Sequence, residues 1–471
     1  MSALAVGSTM LIAAIGGWPF VGLIAAVALI AARRFELRAL LHVPLAVVAV
    51  LWVNAALPKP IDSEAAEQYA WRLEVTSMPV MRAQGWSFDA RIRDGAGKGS
   101  RVLVYSYDDH SVAFRDQIYV TGVFQPSSEL EASYRQYLNG RGVSGQIYAG
   151  SIAIDRRGTN VFAWMNRQRQ EIVRRALNAA PGDTGSLIAG LVTGDDGKLS
   201  EATDDEFKRS GLTHITAISG ANLAFAVALF VDAGKILRRR RNAVLFAGTL
   251  LAWVYAAFVG FAPPTLRAAL MTTAITGGRF AGRPSDPLTL STIMAVAQLA
   301  IRPEDAFSIS FLLSVAASIG LAIGMGKYPA EQSATVADWV RGTVYAQIAT
   351  AVIVGTTFGQ ISLLSIPANV VAAPITLLAF PLSFLGLVLL RISETLGSAY
   401  VVPLTWLIDA LLKIAEIYGH EQATISIPSV DERITLSGVI AVMLLLALLS
   451  SEGRYLRRNV RRRALKYQPA H

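Results

Sequence analysis

Long apolar runs fill most of the chain from residue 213 onward and decide its structural class. A helix crosses the hydrocarbon core of a bilayer with about 20 apolar residues. Two earlier runs cover residues 3–32 and 37–57, and the first predicts either one tilted helix or a hairpin of two. The later runs span residues 213–236, 243–260, 264–278, 287–302, 306–325, 342–362, 368–391, 398–418 and 434–451. The pattern predicts a polytopic α-helical membrane protein with about 10–12 transmembrane helices.

Residues 61–160 change to the alternation of apolar and polar positions that is typical of β-strands. A short helical stretch at residues 129–138 precedes the last strand-like segment. The five segments begin at Trp71, Trp86, Arg101, Gln117 and Gly145. Five strands with a helix before the last one predict an inserted extracytoplasmic β-rich domain, an OB-like barrel.

Residues 161–212 predict amphipathic helices, which we expect to rest on the bilayer surface or to gate the transmembrane bundle. The third helix is predicted to begin at Thr203, where Glu206 would complete a capping box. The predicted domains are N-terminal transmembrane helices (1–60), the OB-like domain (61–160), amphipathic helices (161–212), a transmembrane domain (213–453) and a basic cytoplasmic tail (454–471).

The chain has a formal net charge of +9, and its arginine clusters lie directly beside apolar runs. Such clusters mark the cytoplasmic ends of transmembrane helices. The clusters at residues 33–34, 238–241 and 454–466 fit a single topology, with residues 61–212 outside and the C-terminus in the cytoplasm. Contact with lipid or nucleic acid is the alternative explanation. Because the chain contains no Cys, disulfides and thiolate catalysis are excluded.

Polar side chains inside the apolar runs are the candidates for a transport path. Such groups cost free energy unless they face a partner or a water-filled cavity. The candidates are His214, Ser219, Asn222, Arg267, Ser310 and Asn369. Asn369 lies between Pro367 and Pro374, which predicts either a broken helix of the kind found in transport sites or a simple kink. Each candidate either lines a path or ties two helices together.

Aromatic residues of the OB-like domain are candidates for stacking on the bases of a single strand. They are Trp71, Trp86, Tyr105 and Tyr107. The charge of the domain does not favour tight binding, because residues 61–160 contain 11 Lys or Arg and 12 Asp or Glu, a net charge of −1. The alternative is that these rings fill the core of a small barrel.

Several chemistries lack the residues that they need. Residues 190–200 resemble a phosphate loop only faintly, because Leu199 stands where Ser or Thr is required. No His and Asp cluster has the spacing of a metal site, so no cofactor is predicted. The Ser219-Gly220 pair fits an intramembrane serine protease, but a serine nucleophile needs a base. On a continuous helix His214 is poorly placed to be that base, so proteolysis is kept only as a further alternative.

One signature consists of residues 190–195 (GLVTGD), Phe207 and residues 210–220 (SGLTHITAISG). Residues 134–142 (YRQYLNGRG) form another. Further motifs follow in order: Gly260 with Arg267-Ala268 and Met271, residues 303–311, and Asn369 with Pro374. In these motifs, over nearly its whole length, the chain resembles the ComEC-type competence proteins, the DNA-uptake channels of bacteria. It departs from the family at Asn222, where many members have His, and in showing no metallo-β-lactamase-like domain after the basic tail.

The resemblance implies a multi-pass channel in the bacterial inner (cytoplasmic) membrane that takes up single-stranded DNA during natural transformation. The polar candidates would line the path, and the OB-like domain would receive the strand outside. The chain is then not an enzyme, and its partners would be single-stranded DNA, membrane lipid, a DNA receptor, a separate nuclease, a cytoplasmic motor and further copies of itself in a homo-oligomer. A channel or transporter for another polar or anionic substrate and a structural membrane scaffold are the alternatives.

Overall fold

The computed structural model describes residues 58, 61, 69–82, 85–107, 112–195, 199–216, 219–282, 287–325 and 336–426. The predictions for residues 1–57, for the apolar run 434–451 and for the basic tail lie outside these described residues. Within the described part, a β-barrel comes first and helices follow it.

The barrel consists of five main strands and one short additional strand. They are β1 (Ala70–Val75), β2 (Val80–Arg82), β3 (Gly85–Ile92), β4 (Arg101–Ser106), β5 (Gln117–Pro126) and β6 (Gly145–Arg156). Strands β1, β5, β6, β4 and β3 pair in that order, and β3 pairs back onto β1, which closes the barrel. The five predicted strands and the OB-like barrel are confirmed. The sequence missed β2, which has three residues and pairs with β3, because so short a strand shows no alternation.

Alternate positions of the strands point into the barrel, as the period of two requires. In β5 buried and exposed residues alternate over most of its length. The interior includes Leu73, Phe88, Ile118 and Ile147, all with 0% exposure. Because a small barrel is filled by its own side chains, its ligands must bind to the outer surface.

Helix α1 (Ala132–Arg141) lies between β5 and β6, three residues later than predicted. It ends at Gly142, whose φ of 65° is a left-handed conformation that favours glycine. Gly140 packs so closely on the bundle that a Cβ there would lie 2.6 Å from the carbonyl oxygen of Phe307. Helix α1 therefore joins the barrel to the helical part of the protein.

Three helices connect the barrel to the apolar helices that follow: α2 (Val161–Ala179), α3 (Asp183–Thr193) and α4 (Glu201–Ser210). Helix α3 differs from the amphipathic surface helix that we expected, because residues 185–193 are all buried. The predicted capping box at Thr203 is wrong. Ser200 is the N-cap residue of α4, and its hydroxyl accepts a hydrogen bond from the Thr203 backbone N–H.

Every described apolar run from residue 213 onward contains a helix. The helices are α5 (Thr213–Thr216), α6 (Gly220–Ile236), α7 (Arg241–Phe258), α8 (Pro263–Phe280), α9 (Pro287–Ile301), α10 (Ile309–Met325), α11 (Val336–Phe358), α12 (Ser365–Ile392) and α13 (Glu394–Tyr418). Of the described helices, α7, α12 and α13 are long and apolar enough to cross a membrane. Two short strands, β7 (Gln360–Ser362) and β8 (Thr424–Ser426), pair where α11 and α13 end.

Five of these helices form a closed circuit of contacts. Helix α6 contacts α8, α8 contacts α10, α10 contacts α11, α11 contacts α12, and α12 contacts α6. Helix α12 is continuous from Ser365 to Ile392 with Pro374 and Pro381 inside it, so of the two alternatives for the segment around Asn369 the broken helix is wrong. The other side of α12 packs on α3 and α13 around Leu187 and Ile408, which are fully buried.

Candidate functional site

A cavity of about 170 Å³ lies between α5, α6 and α12. His214, Ser219, Asn222 and Asn369 all line it, so four of the six polar candidates meet at one place. The rest of the wall is formed by Ile215, Phe225, Ala373, Thr376, Leu377 and Phe380. The sequence did not single out these other wall residues, because nothing but the fold brings α12 next to α5.

Asn369 fixes the position of α12 against the chain before α5. Its side-chain nitrogen donates to the carbonyl oxygen of Ser365 at 2.8 Å and to that of Gly211 at 3.4 Å. Gly211 has a φ of 73°, and a Cβ there would lie 2.6 Å from the Ser365 Cβ. The glycine of the Ser210-Gly211 pair thus permits a close approach that any other residue would block.

The second Ser-Gly pair, Ser219-Gly220, lies where α6 begins. A Cβ on Gly220 would lie 2.9 Å from the carbonyl oxygen of Pro264, so this glycine lets α6 pack directly on α8. Ser219 precedes the helix and Asn222 lies in its first turn, and both face the cavity. The segment SGLTHITAISG therefore contains two glycines that permit close packing, Gly211 and Gly220. The polar cavity residues His214 and Ser219 lie between them, and Asn222 follows them.

His214 and Ser219 belong to different elements, since α5 ends at Thr216 and α6 begins at Gly220. The sequence argument against a Ser–His pair assumed one continuous helix, and that assumption is wrong. The His214 side chain is exposed, and it lines the same cavity as Ser219.

The other two candidates lie elsewhere. Arg267 is 6% exposed and lies between α8 and α10, where it donates to the hydroxyls of Ser314 and Ser318. Ser310 is exposed at the start of α10. Ser314 and Ser318, later on the same helix, are the serines that contact Arg267 instead.

The aromatic candidates divide into buried and exposed rings. Trp71 is 1% exposed in the barrel core and Trp86 is 7% exposed, so neither offers a ring face to a base and the stacking interpretation fails for both. The Tyr105 ring stacks on Tyr148 with centroids 5.6 Å apart. Tyr107 is 64% exposed.

Tyr105 also belongs to a hydrogen-bonded group of tyrosines. Its hydroxyl lies 2.8 Å from that of Tyr134 on α1. Burial, together with this hydrogen bond, raises the pKa of Tyr134. The Tyr134 hydroxyl therefore stays neutral at physiological pH. Outward-facing Tyr119 and Tyr148, at 48% and 40% exposure, extend the aromatic surface over β5 and β6.

Arg169 is a functional position of another kind, because it joins three parts of the protein. Its side chain is 3% exposed and pairs with Asp195 at 3.5 Å. The same guanidinium donates to the carbonyl oxygen of Thr193 at 3.0 Å and to that of Pro79 in the barrel at 3.3 Å. In the sequence Arg169 was one of several charges on an amphipathic helix. Its only distinguishing signal was the Gly194-Asp195 motif that supplies its partner.

A protein-family model described as "Competence protein" matches residues 191–452, which is more than half of the chain. The chain belongs to the Competence protein family. The match begins inside α3 and includes every residue that lines the cavity. The barrel at residues 70–156 precedes it. The resemblance inferred from the sequence motifs is confirmed.

Two curated relatives agree with this family. "Competence protein ComA" of Neisseria gonorrhoeae is 27% identical over 363 residues, which cover 72% of this chain and 51% of that protein. "ComE operon protein 3" of Bacillus subtilis (strain 168) is 24% identical over 256 residues, which cover 53% of this chain and 33% of that protein. The chain thus spans about half the length of the first relative and a third of the second. No solved structure matches the chain.

Proposed function

We propose that this protein takes part in DNA uptake during natural transformation, as a membrane channel for single-stranded DNA. The observation that carries the proposal is the cavity, in which His214, Ser219, Asn222 and Asn369 meet within a chain of the Competence protein family. Polar side chains gathered around a cavity in apolar helices are typical of a transport path. In the predicted topology this cavity lies at the outer end of α6 and α12, where an incoming substrate arrives first.

The cavity is narrower than a strand of DNA requires. Its volume of about 170 Å³ is below the roughly 300 Å³ of even small ligand pockets. The described arrangement is therefore a closed one, and passage requires the helices of the circuit to separate. The junction of α6 with α12 is the place where such a movement would join the polar residues into a path.

The barrel would receive the strand before it enters. Base–aromatic stacking contributes about 1–3 kcal/mol per base. Tyr107, together with Tyr105 and its stacked partner Tyr148, is the proposed stacking surface, while Trp71 and Trp86 hold the barrel core together. The remaining steps would be carried out by partner proteins, namely a DNA receptor, a separate nuclease and a cytoplasmic motor. The energy would come from the motor or from the proton gradient.

Deletion of the gene tests the proposal. A strain without it is expected to lose transformation and to leave labelled DNA sensitive to external nuclease, while its growth stays normal. Complementation with the wild-type gene should restore both. Normal transformation in the deletion strain would refute DNA uptake and favour a channel for another anionic substrate or a scaffold.

A serine hydrolase is the second candidate function, because His214 and Ser219 line the same cavity. A His base activates a serine nucleophile when the two side chains are within hydrogen-bond reach. If Ser219 is such a nucleophile, a fluorophosphonate probe labels the purified protein and fails to label Ser219→Ala. We expect no difference in labelling between the two proteins. Labelling that depends on both Ser219 and His214 would replace the channel proposal with hydrolysis.

A further inference from the structure

Arg267 is a buried cation for which the described part of the chain supplies no carboxylate. Its Nη1 donates to Ser318 Oγ at 2.6 Å and its Nη2 to Ser314 Oγ at 2.5 Å. Its Nε is buried and has no hydrogen-bond partner among the residues that the structure describes. Burying a charge among neutral groups is strongly unfavourable. The burial of Arg267 therefore costs free energy, and the packing of α8 on α10 does not by itself require it.

Two other arginines of the described residues, one buried and one half-buried, have a carboxylate counterion. Arg169 pairs with Asp195 at 3.5 Å, and Arg141 pairs with Asp89 at 2.8 Å. Both of these arginines have a structural role, because each fastens one part of the fold to another. Arg267 lacks the feature that they share, so the missing negative charge is best explained by a ligand.

The groups around Arg267 match one class of ligand. Ser314 and Ser318 are four residues apart on α10, so both hydroxyls lie on the face that meets Arg267. A serine oxygen that accepts from a guanidinium keeps its own proton to donate. Guanidinium and hydroxyl donors together bind the oxygens of phosphate groups. We propose that Arg267, Ser314 and Ser318 form a buried binding site for a phosphodiester anion.

The position of the site agrees with that of the cavity. Helices α8 and α10 belong to the same closed circuit as α6 and α12, which wall the cavity. Gly220 at the start of α6 packs on Pro264 and Ala268, on either side of Arg267 along α8. If the substrate is DNA, which rests on the function proposed above, the site would hold a backbone phosphate of the strand close to the polar cavity residues.

The alternative is that Arg267 only holds α8 against α10. The substitution Arg267→Met distinguishes this structural role from anion binding. Met has a similar length but no charge. If Arg267 is a fastener, its replacement lowers the thermal stability of the protein. If Arg267 binds an anion, removal of this uncompensated buried charge leaves the thermal stability of the protein unchanged or raises it.

The experiment is thermal unfolding of the full chain in detergent, with and without dimethyl phosphate and at constant ionic strength set with chloride. The probe is expected to raise the Tm of the wild type and to leave the Tm of Arg267→Met unchanged. The double variant Ser314→Ala/Ser318→Ala keeps the charge and should need about tenfold more probe per lost hydroxyl. Arg279→Met is the matched control, since Arg279 is exposed on the same helix and should leave the response intact.

Equal shifts of Tm in the wild type and in Arg267→Met overturn the site, as does a lower Tm of Arg267→Met without any probe response in the wild type. If Arg267→Met does not fold, the double serine variant provides the test. A shift of its Tm at the same concentration of dimethyl phosphate as in the wild type would refute the site. The readout contains no transport step. Normal transformation in the deletion strain would therefore refute DNA uptake alone, whereas loss of transformation without a probe response would refute the phosphodiester site alone.

Discussion

Replacement of Asn369 with Leu is expected to abolish the uptake of labelled DNA while the protein stays in the membrane at its normal level. Leu has the same number of side-chain heavy atoms as Asn and the same branching at Cγ, but it is bulkier and turns a polar part of the cavity wall apolar. The fold loses only the hydrogen bonds from the Asn369 side chain to the carbonyl oxygens of Ser365 and Gly211. Such bonds contribute about 0.5–1.5 kcal/mol each, so folding should survive. Uptake is measured as nuclease-resistant label, and the protein level by immunoblotting of membranes.

Ser383→Ala is the matched control for this experiment. Ser383 lies on the same helix, is fully buried, and its hydroxyl has no hydrogen-bond partner. Removal of an unpaired buried hydroxyl is close to neutral, so uptake should be unchanged. Normal uptake by the Asn369→Leu protein would show that the cavity is not on the path. A loss of the protein itself would show that Asn369 acts in folding.

Replacement of Arg169 with Ala is expected to cost about 3–5 kcal/mol of folding free energy, because it removes the guanidinium that pairs with the buried Asp195 carboxylate. Protein stabilities are about 5–15 kcal/mol, so a loss of this size should lower the Tm strongly and reduce the amount of folded protein. The substitution also removes the hydrogen bonds to Thr193 and Pro79 and so separates α2 from α3 and from the barrel. The Tm in detergent and the monodisperse fraction in size-exclusion chromatography measure the effect.

Arg174→Ala supplies the comparison. Arg174 lies on the same helix with a side chain that is 68% exposed and pairs with Glu171. A surface pair of this kind contributes about 0–1 kcal/mol, so the Tm should hardly move. Addition of Asp195→Asn to Arg169→Ala should recover part of the stability, since it removes the buried charge that has lost its arginine. If Arg169→Ala and Arg174→Ala unfold at the same temperature, Arg169 does not hold the barrel to the bundle.

The sequence predicted the elements well where one periodicity extends over many residues. The strands that begin near Trp71, Trp86, Arg101, Gln117 and Gly145 were found because a barrel strand alternates inside and outside at every residue. The helices after residue 213 were found because apolar composition alone marks them. The predictions failed where the signal is short or ambiguous. Strand β2 has only three residues. A proline such as Pro374 either kinks a helix, ends it or is accommodated within it, and the neighbouring helices decide which.

The candidate site shows the same division. Chemical type was enough to select His214, Ser219, Asn222 and Asn369, because polar residues are rare in apolar runs and each one needs a reason. The sequence could not decide which of them meet, since Asn369 reaches Gly211 across 158 positions of the chain. It could not separate Trp71 in the barrel core from Tyr107 on the surface either, because both rings lie in strand-like segments and only barrel closure assigns an inside.

The sequence by itself determined the family and the order of a β-barrel followed by apolar helices, because hydropathy, periodicity and motifs are properties of neighbouring residues. The tertiary structure decided which polar residues share a cavity, and that the glycines at 211 and 220 serve close packing. It also decided that Arg169 has a carboxylate partner and Arg267 has hydroxyl partners instead. These facts depend on distances between residues far apart in the chain, and such distances follow only from the packing of the whole fold.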